Sequence, residues 1–291
     1  MQYLIPSVVA VLMISVGMSL SLSELTATLR RLTLWAWIRM LAATFILPAA
    51  LALVLARLFH LTDGDLGGIF LIGVAPGAPL LTRNMARKGF ETHLAATYQV
   101  WAALMIPIMI PVIVFSAAKL YNRDIWIPPR ELVGQIILKQ LLPLAVGMLI
   151  ARAAPKQSQK YQPILNTLGN VVLTVVIILA LFKLGPALKG ITPALPVVAL
   201  LLAFGCVGMV WLIALSDPIV KHTFAICNAN RHVGLALLLS GQYFHSTRAL
   251  PAIACYALVV PFVMIGFAAW FKRRFSNQDT VPDAKSRAVS S

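Results

Sequence analysis

Apolar stretches of roughly 20 residues, the length at which a helix crosses about 30 Å of hydrocarbon, recur along the chain between short polar connections. Nine can be drawn, over 3–22, 33–58, 66–86, 92–118, 132–152, 163–182, 193–214, 220–242 and 249–271. Connections such as Thr62 to Asp65, Tyr121 to Glu131 and Ala153 to Gln162 are too short to hold a soluble domain. The pattern predicts an all-α integral membrane protein, with one transmembrane domain over residues 1–275 and a polar, disordered cytoplasmic tail over 276–291. Met1 to Leu22 lacks a basic start and a small-residue cleavage site, so it is read as the first span rather than a leader.

Two spans are interrupted at their middle. In the third, APGAPLLTR (Ala75 to Arg83), Pro76 and Pro79 each remove a backbone donor and Gly77 loosens the chain. Carbonyls and amides freed at membrane depth need polar partners, which Thr82 and Asn84 can supply. In the eighth, FAICNANRHVGLALLLS (Phe224 to Ser240), the interruption is Asn228, Asn230, Arg231 and His232. An arginine at the centre of a span costs about 2.5–3.5 kcal/mol on insertion scales, so it faces a cavity or a partner. These two spans lie five apart, and an odd offset reverses a helix, so the pattern predicts inverted five-helix repeats that cross at two broken helices. Span 1 then matches 6, 2 matches 7, 3 matches 8 and 4 matches 9, with the first helix of repeat one missing. Half-helix N-termini at such a crossing favour anionic groups, a preference that Arg231 strengthens.

Composition agrees with the pattern. Only 11% of residues are charged and 60% are hydrophobic, against about 25% charged in a soluble domain, and mean hydropathy is +0.87. A net charge of +15 would suggest nucleic acid in a soluble chain. Here the basic residues crowd into short loops and the tail, where they orient helices, and nucleic acid is discounted. Arg30, Arg31, Arg87, Lys88, Arg152, Lys156, Lys160, Lys221 and the Lys272–Arg274 cluster fall on one side, a smaller set with Asp63, Asp65, Asp124 and Glu131 on the other. That asymmetry places the N-terminus outside and the C-terminus in the cytoplasm.

Candidate chemistry is sparse. Cys206, Cys227 and Cys255 sit in apolar spans without metal-ligand spacing, and no carboxylate pair or nucleophile arrangement is found, so neither an enzyme nor a metal site is expected. Every carboxylate lies in a loop, a span end or the tail. His232, with an ordinary pKa of about 6.5, is the one candidate proton carrier at the crossing.

Several stretches together carry a resemblance: VGMSLSLSEL near the end of span 1, Pro48 in span 2, GVAPGAPLLTRN in span 3, Pro107 and Pro111 in span 4, and NANRHVGLAL in span 8. With these the chain resembles the bile acid:sodium symporter family, whose bacterial members include carriers of other organic anions. The resemblance implies ten helices, or nine without the first, in inverted five-helix repeats. It also implies two sodium sites, built in sodium-coupled members from a Ser-Asn pair after the APG break, small hydroxyls in the next helix, a Gln before the kinked Pro, and a Glu with a Gln four residues later in the second broken helix. At these positions the present chain has Leu81 and Thr82, Ala95 and Gln99, Ala43, and Cys227 with Arg231. Most of those ligands lack a side-chain oxygen, which hard cations prefer.

A Glu with one bound sodium sums to zero charge, whereas neutral Cys227 with Arg231 sums to plus one. The expectation is a secondary transporter of a small or amphipathic organic anion, independent of sodium, with Arg231 standing where the ion stood and no cofactor. Thr82, Asn84, Gln99, Cys227, Asn228, Asn230, Arg231 and His232 are the candidate substrate or ion residues. Blander roles stand beside these: Arg231 bonding freed carbonyls of span 3, His232 and Cys227 packing, Asn228 and Asn230 capping the break, and Arg83 snorkelling to the surface. Two rival functions remain, a sodium-coupled symporter using Thr82, Gln99, Asn228, Asn230 and backbone carbonyls, and a membrane receptor that binds without flux. A bacterial source would place the protein in the inner membrane.

Overall fold

The computed structural model describes residues 4–19, 34–77, 92–121, 129–183, 192–212, 218–243 and 249–275. The tail over 276–291 and the second half of the third span, with Pro79, Leu81, Thr82, Arg83 and Asn84, lie outside the described residues. Every described element is helical: α1 (Leu4–Met18), α2 (Leu34–Leu41), α3 (Leu47–Leu58), α4 (Asp63–Val74), α5 (Thr92–Tyr121), α6 (Pro129–Ile136), α7 (Leu142–Ala153), α8 (Pro155–Lys183), α9 (Leu195–Gly208), α10 (Pro218–Ala229), α11 (Val233–Tyr243) and α12 (Ala249–Phe275). Among the described residues, five helical segments are long and apolar enough to cross a membrane: Trp37–Leu58, Tyr98–Ala117, Arg130–Ala153, Leu195–Leu212 and Ala249–Phe271. A single five-residue π turn, Ala42–Ile46, joins α2 to α3, and another, Ile137–Leu141, joins α6 to α7.

Both π turns precede a Leu-Pro pair, Leu47-Pro48 and Leu142-Pro143. Proline has no N–H and its ring clashes with the carbonyl four residues back, so widening the preceding turn by one residue lets the helix continue. The N–H groups of Leu47 and Leu142 accordingly bond five residues back, to the Ala42 and Ile137 carbonyls. One polar stretch departs from the sequence expectation. From Ala153 to Gln162 the chain is helical except at Ala154, because Pro155 occupies a first-turn position where a missing N–H has no cost.

The helices pack in two groups. In one, α1 lies along α7 and α8. Gly17 and Gly147 permit this, since a Cβ on either would collide with the other helix's backbone, at the Leu144 and Ile14 carbonyls. Ser15 and Ser158 hydroxyls donate to the Gln162 and Met18 carbonyls at 3.1 Å, tying α1 to α8. The other group gathers α3, α4, α9 and α12 around the breaks, with α5, α10 and α11 against them. The start of α4 is fixed by a buried carboxylate: Asp65 Oδ2 accepts from the Thr62 hydroxyl (2.9 Å) and from the Thr192 hydroxyl (2.8 Å) and N–H (3.2 Å). The two groups meet where α1 touches α11, where α8 touches α12 and where the second π turn touches α5.

Candidate functional site

Helix α4 ends at Val74 because Pro76 cannot donate to Ile72 and restricts Ala75 to non-helical angles, φ −107° and ψ 82°. The unwound stretch continues to Gly77, whose φ of +77° suits glycine. A Cβ there would also lie 3.0 Å from the Ala102 methyl on α5. The second break has no proline. Helix α10 stops at Ala229, Asn230 to His232 are non-helical, and α11 resumes at Val233. The His232 ring makes that restart possible: its Nδ1 accepts from the Leu235 N–H at 3.0 Å, the position and role of an N-cap.

The two breaks touch. The His232 N–H donates to the Ala75 carbonyl at 2.8 Å, so the crossing expected from the sequence is a main-chain contact. Arg231 is 1% exposed and closes the joint from the side. Its Nη1 donates to the Thr44 carbonyl at 2.9 Å, and its Nη2 to the Gly73 carbonyl at 2.7 Å. Both acceptors are left over from broken ladders. Pro48, four residues after Thr44, has no N–H to offer it, and Gly73 sits in the last turn of α4. A longer contact runs from Nη1 to Asn228 Oδ1, 3.4 Å. The partners of the guanidinium among the described residues are thus neutral oxygens rather than a carboxylate.

Asn228 extends the same arrangement. Its Nδ2 donates to the Ala43 carbonyl (3.0 Å), which the π turn before Pro48 also leaves free, and to the Cys206 carbonyl (2.7 Å), where α9 tightens into the 3₁₀ turn Met209–Leu212. Its Oδ1 accepts from the Tyr98 hydroxyl at 3.2 Å. Tyr256 donates to the Ala229 carbonyl at 2.6 Å, capping the end of α10 from α12. Asn228, Arg231 and His232 therefore pin five segments together, and Cys227 is a buried packing residue behind them. Asn230 is partly buried at the turn itself, with its N–H on the Ile226 carbonyl at 3.0 Å. Gln99 is buried on α5, near the Gly77 turn. Three donors here have no partner among the described residues: Arg231 Nε, His232 Nε2 and Gln99 Nε2.

Residues 6–191 match the model of the Sodium Bile acid symporter family, a stretch that contains the APG break and the Pro48 kink. The chain belongs to this family. Its members are transporters, not enzymes, and with its apolar helices this sodium bile acid symporter family protein is a multi-pass membrane protein. The matched residues end before the second break, so Arg231 and His232 are placed by the fold alone. No curated protein matches the chain.

Sequence reading missed Thr44, Tyr98 and Tyr256 as parts of this site. The signal for Thr44 was present, since a proline at 48 deprives the carbonyl at 44 of its partner. Tyr98 and Tyr256 are hydroxyls inside apolar spans, where a buried phenol finds an acceptor. His93 and Thr97, on α5 ahead of Gln99, have side chains outside the described residues.

Proposed function

We propose that this protein is a nine-helix secondary transporter that moves a small or amphipathic organic anion by alternating access without sodium, and that Arg231 supplies the positive charge a bound cation would otherwise bring. The observation carrying this reading is the guanidinium on the Thr44 and Gly73 carbonyls. Backbone oxygens collected from a π turn and from the end of a broken helix are what a hard cation would seek, and an arginine fixed there occupies them permanently. The side chains expected to complete a sodium site are apolar or sulfur-bearing at Ala43, Ala95 and Cys227. With no carboxylate among its described partners, the joint retains a positive charge that an anion can neutralise.

The inverted repeat, the outside N-terminus and the inner-membrane location belong to the same proposal. The repeat draws support from two breaks that meet through main-chain groups, and the orientation from the basic loops. Sodium-coupled symport is the second reading, favoured by the membership of a family of sodium symporters. Binding of radioactive sodium to the purified protein separates the two. No saturable binding in the parent chain fits the built-in charge, and saturable binding assigns the sodium reading.

A further inference from the structure

A second cation lies inside the membrane, away from the crossing. Lys139 sits in the π turn Ile137–Leu141 of the Arg130–Ala153 span, nine residues past Arg130 and so about 13 Å along the helix, close to the bilayer midplane. A lysine at that depth faces a polar path or a partner. Its one described contact is weak, Nζ to Gln135 Oε1 at 3.5 Å, which leaves N–H donors for something else.

The next residue gives an independent indication. Gln140 is 1% exposed, and neither its Nε2 nor its Oε1 has a partner among the described residues. An unpaired buried amide is costly unless another state or a ligand satisfies it. Gln140 shares a helix face with Leu144, one turn on, and Leu144 packs with Ala103 of α5 and with Val9, Met13 and Val16 of α1. Ala103 in turn shares a face with Gln99, whose Nε2 is also unpartnered. Two unsatisfied amides thus stand on the helix faces that join the α1–α7–α8 group to the group holding the breaks. Lys139 and Gln140 are neighbours in the π turn, one turn before Leu144, and such turns recur at functional sites.

Resting on the anion-transport reading above, we propose that Lys139 pairs with the anionic head of the transported molecule, and that Gln140 and Gln99 donate amide hydrogen bonds to it. Arg231 has both terminal nitrogens committed to carbonyls, so it sets the charge of the joint while Lys139 makes the contact. The ligand is a monoanionic carboxylate or sulfonate, since one ammonium and neutral amides match a single negative charge.

The test uses the full chain in proteoliposomes and whichever labelled anion the parent takes up from a panel of taurocholate, cholate and short-chain carboxylates. Lys139→Gln should raise KM for that anion by about tenfold, and Lys139→Arg should restore it to within about threefold of the parent. Lys139→Cys should react with a membrane-impermeant sulfonate thiol reagent, above the background of the native cysteines, and the transported anion should slow that reaction. A parent-like KM in Lys139→Gln, or a Lys139→Cys thiol that the reagent never reaches, overturns the assignment and leaves anion transport standing. A parent chain that takes up no anion on the panel overturns the transport reading and this assignment together.

Discussion

Arg231 bonds the Thr44 and Gly73 carbonyls, so truncating it removes a donor from two buried acceptors as well as removing charge. Arg231→Gln should abolish anion flux and destabilise the protein by about 3–5 kcal/mol, read as a lower thermal midpoint in detergent, because one partner of a buried polar network is gone. Asn228→Ala should cost about 2–4 kcal/mol by the same measurement, since it releases the Ala43 and Cys206 carbonyls and the Tyr98 hydroxyl. His232 already uses Nδ1 to cap α11, the task of a neutral ring, so the pH dependence of flux should be the same in His232→Asn, which keeps a capping side chain. Loss of a pH-dependent step in that variant would make His232 a proton carrier after all. At this scale the sequence showed which residues were out of place in a membrane, Arg231 above all. It also offered a bond from Arg231 to freed carbonyls of span 3, which the Gly73 carbonyl accepts, but not the bond to Thr44, because carbonyl availability there depends on how the helix passes Pro48.

Among the elements, the proline-coded features were legible and the unmarked ones were not. Pro76 and Gly77 announced the end of α4, and the polar run Asn228 to His232 announced the gap between α10 and α11. The π turns carry no residue signal of their own beyond the Leu-Pro pair that follows each, and Lys139 and Gln140 passed as ordinary members of an apolar span. Polar composition also misled at Pro155 to Gln162, where Ser158 and Gln162 serve α1 rather than solvent. The α1–α7 contact gives a prediction of its own. Gly147→Leu must push the helices apart and should remove the folded protein from membranes, whereas Gly134→Ala, on a site with nothing within 4 Å, should be neutral or stabilise by up to about 1 kcal/mol. Equal yields of the two variants in a fluorescence-tagged expression assay would contradict that packing.

For the molecule as a whole, hydropathy was enough to read a multi-pass helical membrane protein, and the motifs were enough to read its family. The division into an α1–α7–α8 group and a group around the breaks was not legible, since it depends on which helix faces are smooth enough to meet, as at Gly17 and Gly147. A division into two packed groups is what the proposed alternating access requires. The central claim is that a fixed guanidinium replaces a coupling cation in that cycle. Its most direct test is uptake of a labelled organic-anion panel into proteoliposomes with sodium, potassium or a proton gradient imposed in turn. The account predicts anion flux of the same rate and KM in sodium and in potassium, lost in Arg231→Gln under both. Flux that requires sodium in the parent chain would contradict it.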